Sequence, residues 1–203
     1  MAGERRLETC QWTAEHANGA DAPPDDPEGV VYLYNVGRRT HTVPIPPEIA
    51  AYWARFIASV GGIDTARFYE AFHFGDNAEL ANALAALVLA GTKRATAGSV
   101  WSFEAEGKTP PNPGDFSIVT DWAGTPLCVI QTTQVDILAF DAVTAEFASV
   151  EGEGDGSLEY WREGHTKYFT RECGHLGRTF SGSMPVACER FNVVFQEQTG
   201  AAA

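Results

Sequence analysis

The clearest patterns along the chain are helical. Ile49, Tyr52, Trp53, Phe56, Ile57 and Val60 recur at three- and four-residue spacing, which predicts a helix opening near Glu48 with that stripe buried. Pro44-Ile-Pro-Pro47 stands before it and Gly61-Gly62 after it, a start and a stop. Thr65 to Phe72 reads as a short helical stretch. Asp76 followed by Glu79 then resembles a capping pair, with Leu80, Leu84, Leu87 and Val88 as one face and Gly91 as a left-handed terminator.

Beyond Gly91 the pattern shifts towards strands. Pro110, Pro111 and Pro113 make a loop that ends at Gly114-Asp115, and Phe116 to Thr120 reads as a strand closed by a turn at 121–124. Leu127 to Leu138 is longer than an ordinary strand, so it is expected to bend or bulge. Helices are predicted over 141–150 and 157–173. A last strand over 186–195 carries Phe191, Val193 and Phe195 on one side. Helices set around a few bent strands predict an α+β fold with a small closed or half-closed sheet. Residues 1–28 show no periodic apolar face and are rich in Asp, Pro, Gly and Ala after Asn18, so a disordered lead-in is expected there. Val30 to Tyr34 suits a short added strand.

Composition changes this picture in one respect. The 203 residues are 44% hydrophobic and 20% charged, which suffices for a core, but the net charge is −13. Twenty acids against ten bases lie in residues 46–203, so the acidity is not confined to a tail. A nucleic-acid track needs a basic face, and any such ligand here must use a focused site. The early residues hold charges where a leader needs an apolar run, and Leu80 to Ala90 is too short to span a bilayer. The chain therefore reads as soluble and cytoplasmic, with Cys10, Cys128, Cys173 and Cys188 reduced and packed as small hydrophobes. Nothing in the sequence sets an oligomeric state.

Three segments carry candidate chemistry. In Gly91-Thr-Lys93-Arg94-Ala-Thr96, the lysine and threonine share a face if the segment turns and diverge if it is a straight strand. A desolvated Lys93 can accept the Thr96 proton; a charged one can hold an oxyanion. In Glu151-Gly-Glu153-Gly-Asp155-Gly156, alternating acids and glycines match the opening of an EF-hand, but Arg162 stands where the twelfth-position acid belongs. Glu151, Glu153 and Asp155 remain as a weaker Mg²⁺ or Mn²⁺ set, or as acids beside a helix start. In Leu158 to Arg171, Leu158, Trp161, His165 and Phe169 share a face. Arg94, Arg162, Lys167 and Arg171, with Trp101, Phe103, Tyr160 and His165, are the cations and rings available for stacking on bases. No GxxxxGK, GxGxxG or GxSxG motif occurs.

Taken together, Phe72-His-Phe-Gly-Asp76, Lys93-Arg-Ala-Thr96, Pro113-Gly-Asp115, Glu151-Gly-Glu-Gly-Asp155 with Ser157-Leu158, and Cys188-Glu-Arg-Phe191 resemble the ASCH-domain family over residues 46–196. The resemblance implies a PUA-like β-pseudo-barrel of mostly antiparallel strands flanked by helices, behind an N-terminal extension at 1–45. It implies a cleft directed at single-stranded RNA or a modified nucleoside. One branch of the wider family hydrolyses the acetyl amide of acetylated cytidine with a lysine, a threonine three residues on and a downstream glutamate. Lys93, Thr96 and Glu153 match, with Glu151 as the rival for the third place. Another branch, closer in length, cleaves single-stranded RNA with a divalent metal. The expectation is a hydrolase, ribonuclease or amidohydrolase, needing no cofactor to fold and using Mn²⁺ or Mg²⁺ only in the second case; the alternative is a non-catalytic RNA- or nucleoside-binding module.

Overall fold

The structure is a computed structural model that describes residues 34–36, 39–41 and 45–197. The strand expected over 30–34 lies outside these residues except at Tyr34, which opens β1 (Tyr34–Val36), paired antiparallel with β2 (Arg39–His41). The expected lead-in at 1–28 lies outside them as well.

Helix α1 spans Pro47–Val60 with proline in its first turn, where a missing N–H costs nothing. It buries Ile49, Tyr52, Trp53 and Phe56 and stops at Gly61. Val60, expected in the stripe, is 53% exposed and takes no part in the buried face. The stretch expected to be helical up to Phe72 is a single 3-10 turn at Thr65–Arg67 followed by strand β3, Phe68–Phe72. Pairing with β5 (Phe116–Thr120) supplies this segment's backbone hydrogen bonds and overrides its local helical pattern. Helix α2 spans Ala78–Leu89, and its cap is Asn77, not Asp76: Asn77 Oδ1 accepts from Leu80 N–H at 2.9 Å. Asp76 instead faces Arg171 in an ion pair.

Strand β4 (Ala95–Ser99) and short helix α3 (Val100–Ala105) follow. Neither is marked by periodicity in the sequence. The long run after the turn is β6, Pro126–Ala139, and its register slips at Val129/Ile130 and Thr132/Gln134 are the expected bulges. Helices α4 (Ala145–Glu151) and α5 (Leu158–His175) precede the closing strand β7, Pro185–Gln196.

The main sheet has five strands in the order β3-β5-β6-β7-β4, antiparallel except for the β3–β5 pair. Its two edge strands do not pair with each other, so it is a pseudo-barrel rather than a closed one. Helix α1 packs its aromatic stripe on β3, β5 and β6. Helix α2 covers the stretch holding Val119, Ile130 and Phe191. Helices α4 and α5 enclose Trp161, Phe169, Met184 and Val186 near β4 and β7. Cys128, Cys173 and Cys188 are buried free thiols, as the sequence suggested. Among the described residues no helix is long and apolar enough to cross a membrane.

Candidate active site

Lys93 has no exposed side-chain surface. It lies in the short link between α2 and β4, and two backbone bonds fix that link. Lys93 N–H reaches back to Leu87 O at 3.1 Å, and Arg94 N–H donates to Val150 O, at the end of α4, at 3.1 Å. The link thereby faces the Glu151–Gly156 loop. Gly152 ends α4 in the left-handed region, and a Cβ there would come within 2.5 Å of the Thr92 carbonyl. Gly154 is also left-handed, and the Tyr160 ring lies where its Cβ would stand. Only glycine allows so tight a winding, and the winding turns both Glu151 and Glu153 towards one ammonium.

Lys93 Nζ donates to Glu151 Oε1 at 3.0 Å and to Glu153 Oε1 at 2.5 Å. The Phe74 ring centroid lies 5.1 Å from the same nitrogen. Glu151 is buried too, and its second oxygen accepts from the Trp161 indole N–H. His165 stacks on Trp161 with centroids 4.1 Å apart. Its Nδ1 lies 3.0 Å from the Trp161 carbonyl, an acceptor, so Nδ1 is assigned the proton, and Nε2 faces Glu151 Oε1 at 3.6 Å. Burial opposes charge on Lys93, but the Glu151 and Glu153 carboxylates outweigh it and raise the Lys93 pKa. Burial likewise opposes charge on Glu151, and Lys93 with His165 outweighs it, holding Glu151 below the usual carboxylate range. His165 is pushed up on balance: burial lowers it, and Glu151 more than compensates. The result is a buried network of alternating charge with its hydrogen bonds made, the condition under which buried ions are tolerated.

This network forms part of the wall of a cleft of about 290 Å³ lined by β4, β7, α3 and α5. Thr96 lines the same cleft, as do Glu151, Glu153, Tyr160 and His165. Six carboxylates line it (Glu70, Glu106, Glu151, Glu153, Glu172 and Glu189), while Arg171 is the only lysine or arginine among the lining residues. Arg171 is already paired with Asp76.

The sequence-derived site thus divides. Lys93 and Glu153 come together and Glu151 joins them, so the rival glutamates share one lysine, while Thr96 lines the cleft that both glutamates also line. Of the expected nucleic-acid contacts, Tyr160 and His165 line the cleft, and so does Phe103. Arg171 lines it too, paired with Asp76, and the remaining four lie elsewhere. Arg94 is exposed, Arg162 donates to the Asp141 carbonyl, Lys167 pairs with Glu163, and Trp101 lies under the Arg178 guanidinium. The helix period explains the split: the cleft face of α5 includes Tyr160, Gly164, His165 and Tyr168, and residues two further along point away. The expected metal set does not fit an Mn²⁺ or Mg²⁺ ion. Both Glu151 oxygens and one of Glu153 are taken by N–H donors, and Asp155 turns back to accept from Ser157 N–H. Among the described residues no three His, Cys, Asp or Glu side chains cluster as a metal site.

Sequence reading missed Glu189, Glu172, His73 and the half-buried Lys108–Glu70 pair. Glu189 had a legible signal. It shares strand parity with Phe191, Val193 and Phe195, so a carboxylate sits at an inward position. Burial raises its pKa to about 7, and burial raises Glu172 to about 7 as well.

The profile of the ASCH domain matches residues 70–195. The chain belongs to the ASCH-domain family. A solved ASCH domain from Lactobacillus crispatus JV V101 is 34% identical, with a TM-score of 0.67 over 72% of this chain and 94% of that one. A protein from Enterococcus faecalis V583 is 30% identical, with a TM-score of 0.66 over 74% of this chain and 90% of that one. No curated protein matches the sequence. The matched span of the ASCH domain contains both halves of the Lys93 network and all of the cleft's carboxylates.

Proposed function

We propose that this ASCH domain hydrolyses the acyl amide of a modified nucleoside, of the class of acetylated cytidine. The observation that carries the reading is the contact of Lys93 with Glu153 at 2.5 Å in the wall of a cleft that Thr96 also lines. An amine, a hydroxyl and a carboxylate so arranged suit acyl transfer. Thr96 is the nucleophile. Glu153, 20% exposed, presents a carboxylate to the ligand's N–H groups. Lys93, wholly enclosed, touches no ligand; it positions Glu153 and balances its charge.

The cleft favours a nucleoside over an RNA strand. About 290 Å³ stands at the small end of ligand pockets. Arg171, the one lysine or arginine lining it, is already paired with Asp76, so phosphates find no free guanidinium or ammonium there, whereas a nucleobase is uncharged and offers N–H donors to carboxylates. Tyr160, 49% exposed, is a platform on which a base can stack.

The test is mass spectrometry of wild type and Glu153→Gln incubated with acetylated cytidine and with a short single-stranded RNA, each with Mn²⁺ or with a chelator. Free cytidine should appear with wild type regardless of metal, fall at least about 100-fold in the variant, and the RNA should stay intact. Mn²⁺-dependent cutting of the RNA would replace this reading with a nuclease. Saturable binding without turnover would leave a binding module.

A further inference from the structure

Lys93 Nζ donates to both Glu151 and Glu153 and is not among the residues that line the cleft with Thr96, so it is badly placed to take the Thr96 proton. Some other group must take the hydroxyl proton. Strands β4 and β7 are antiparallel, and in their register Thr96 is directly opposite Glu189. Directly opposed residues project on the same face, with Cβ atoms about 4.5–5.5 Å apart. Both line the cleft. The Thr132 hydroxyl donates to Glu189 Oε1 at 2.6 Å, which anchors the carboxyl group and leaves Oε2 for a second partner.

Building on the nucleoside-amidase reading, we propose that Glu189 is the general base and acid for Thr96. Thr96 Oγ adds to the acyl carbon while its proton passes to Glu189. The C–N bond of the tetrahedral intermediate then breaks, and Glu189 returns the proton to the departing exocyclic nitrogen, leaving an acyl ester on Thr96. Water adds to that ester and gives a proton to Glu189. The Thr96 oxygen leaves with that proton, and the carboxylic acid is released. The balance is amide plus water to amine plus acid, with no further reactant.

The surroundings of Glu189 suit the role. Burial comes first among the causes that raise its pKa to about 7, Thr132 lowers it, and the Glu70 and Asp115 carboxylates raise it against the Lys93 ammonium. A group that titrates near neutral pH both accepts and returns protons. Gln at this position still accepts from Thr132, so the variant keeps the local fold.

The experiment treats wild type, Glu189→Gln, Glu189→Asp and Thr96→Val with p-nitrophenyl acetate from pH 5 to 9 and maps acetylated peptides by mass spectrometry. Acetylated cytidine is followed in parallel. Wild type is expected to acetylate Thr96 with a rate that rises through pH about 7. In Glu189→Gln the rate should fall about 10²–10⁴-fold and lose that pH step, and Glu189→Asp should recover part of both. Acetylation of Thr96 at the wild-type rate in Glu189→Gln, or none at Thr96 in wild type, overturns the assignment. If Glu189→Gln deacylates acetylated cytidine normally, Glu189 is not the base and the nucleoside reading survives. If Thr96 acylation depends on Glu189 but acetylated cytidine is untouched, the assignment holds and the substrate reading falls.

Discussion

At the scale of single residues, the cleft holds charges in two different states of satisfaction. Lys93 is held by two carboxylates and Glu151 has both oxygens engaged, while Glu153 gives one oxygen to Lys93. A buried ion pair of this kind adds little net stability over apolar packing, so its value lies in placing a carboxylate at the cleft. Glu172 is the less satisfied case: its Oε2 is buried without a hydrogen bond of good geometry, Ser102 offsets burial only in part, and on balance its pKa is raised from 4.5 to about 7. The folded state therefore binds this proton more tightly than the unfolded chain. The associated stability is complete below about pH 4, declines as pH rises, and is gone above about pH 7. Glu172→Gln removes the ionisation. It should raise the melting temperature by several degrees at pH 8, on the order of 2 kcal/mol, and change it little at pH 4. Thermal melts at the two pH values check this, and equal shifts at both would contradict it.

At the scale of elements, the Glu151–Gly156 loop is the piece on which the site depends. Gly152 and Gly177 both take left-handed backbone, at φ 68° and 66°. A Cβ at Gly177 meets nothing within 4 Å, whereas one at Gly152 meets the Thr92 carbonyl at 2.5 Å. Alanine at either position costs about 1–2 kcal/mol for the conformation alone. Gly152→Ala must in addition push α4 away from the Lys93 link, so it should lose clearly more stability than Gly177→Ala in denaturant titrations and abolish cleft activity. Elements with a strong local signal were legible. The α1 stripe, the strand at 116–120 and the bulged strand after it match the sequence reading apart from their ends. β3 was not, because its pairing partner, β5, starts 48 residues after the β3 start, at Phe116. The Asn77 cap was missed because Asp76 and Asn77 are equally good caps in sequence; in the structure Asn77 caps the helix and Asp76 pairs with Arg171.

At the scale of the whole molecule, charge sets the class of ligand. A net charge of −13 with acids around the cleft opposes a phosphate track. Affinity for acetylated cytidine, measured calorimetrically, should change less than about twofold between roughly 50 and 200 mM salt, where a protein holding six to ten phosphates loses about 10³–10⁵. A steep salt slope would place the backbone of a nucleic acid in the site. The sequence by itself determined the family, the α+β class, the free thiols and the acidic balance, because these follow from composition and from motifs a few residues long. It also named Lys93, Thr96 and Glu153. Only the tertiary structure decided that both loop glutamates hold one enclosed lysine, and that Thr96 faces Glu189 across a strand pair. Those facts depend on sheet register and on a left-handed turn, which bring together residues 58 and 60 positions apart in the Lys93 network. No local pattern in the chain encodes such a meeting, because it is fixed by how whole elements pack.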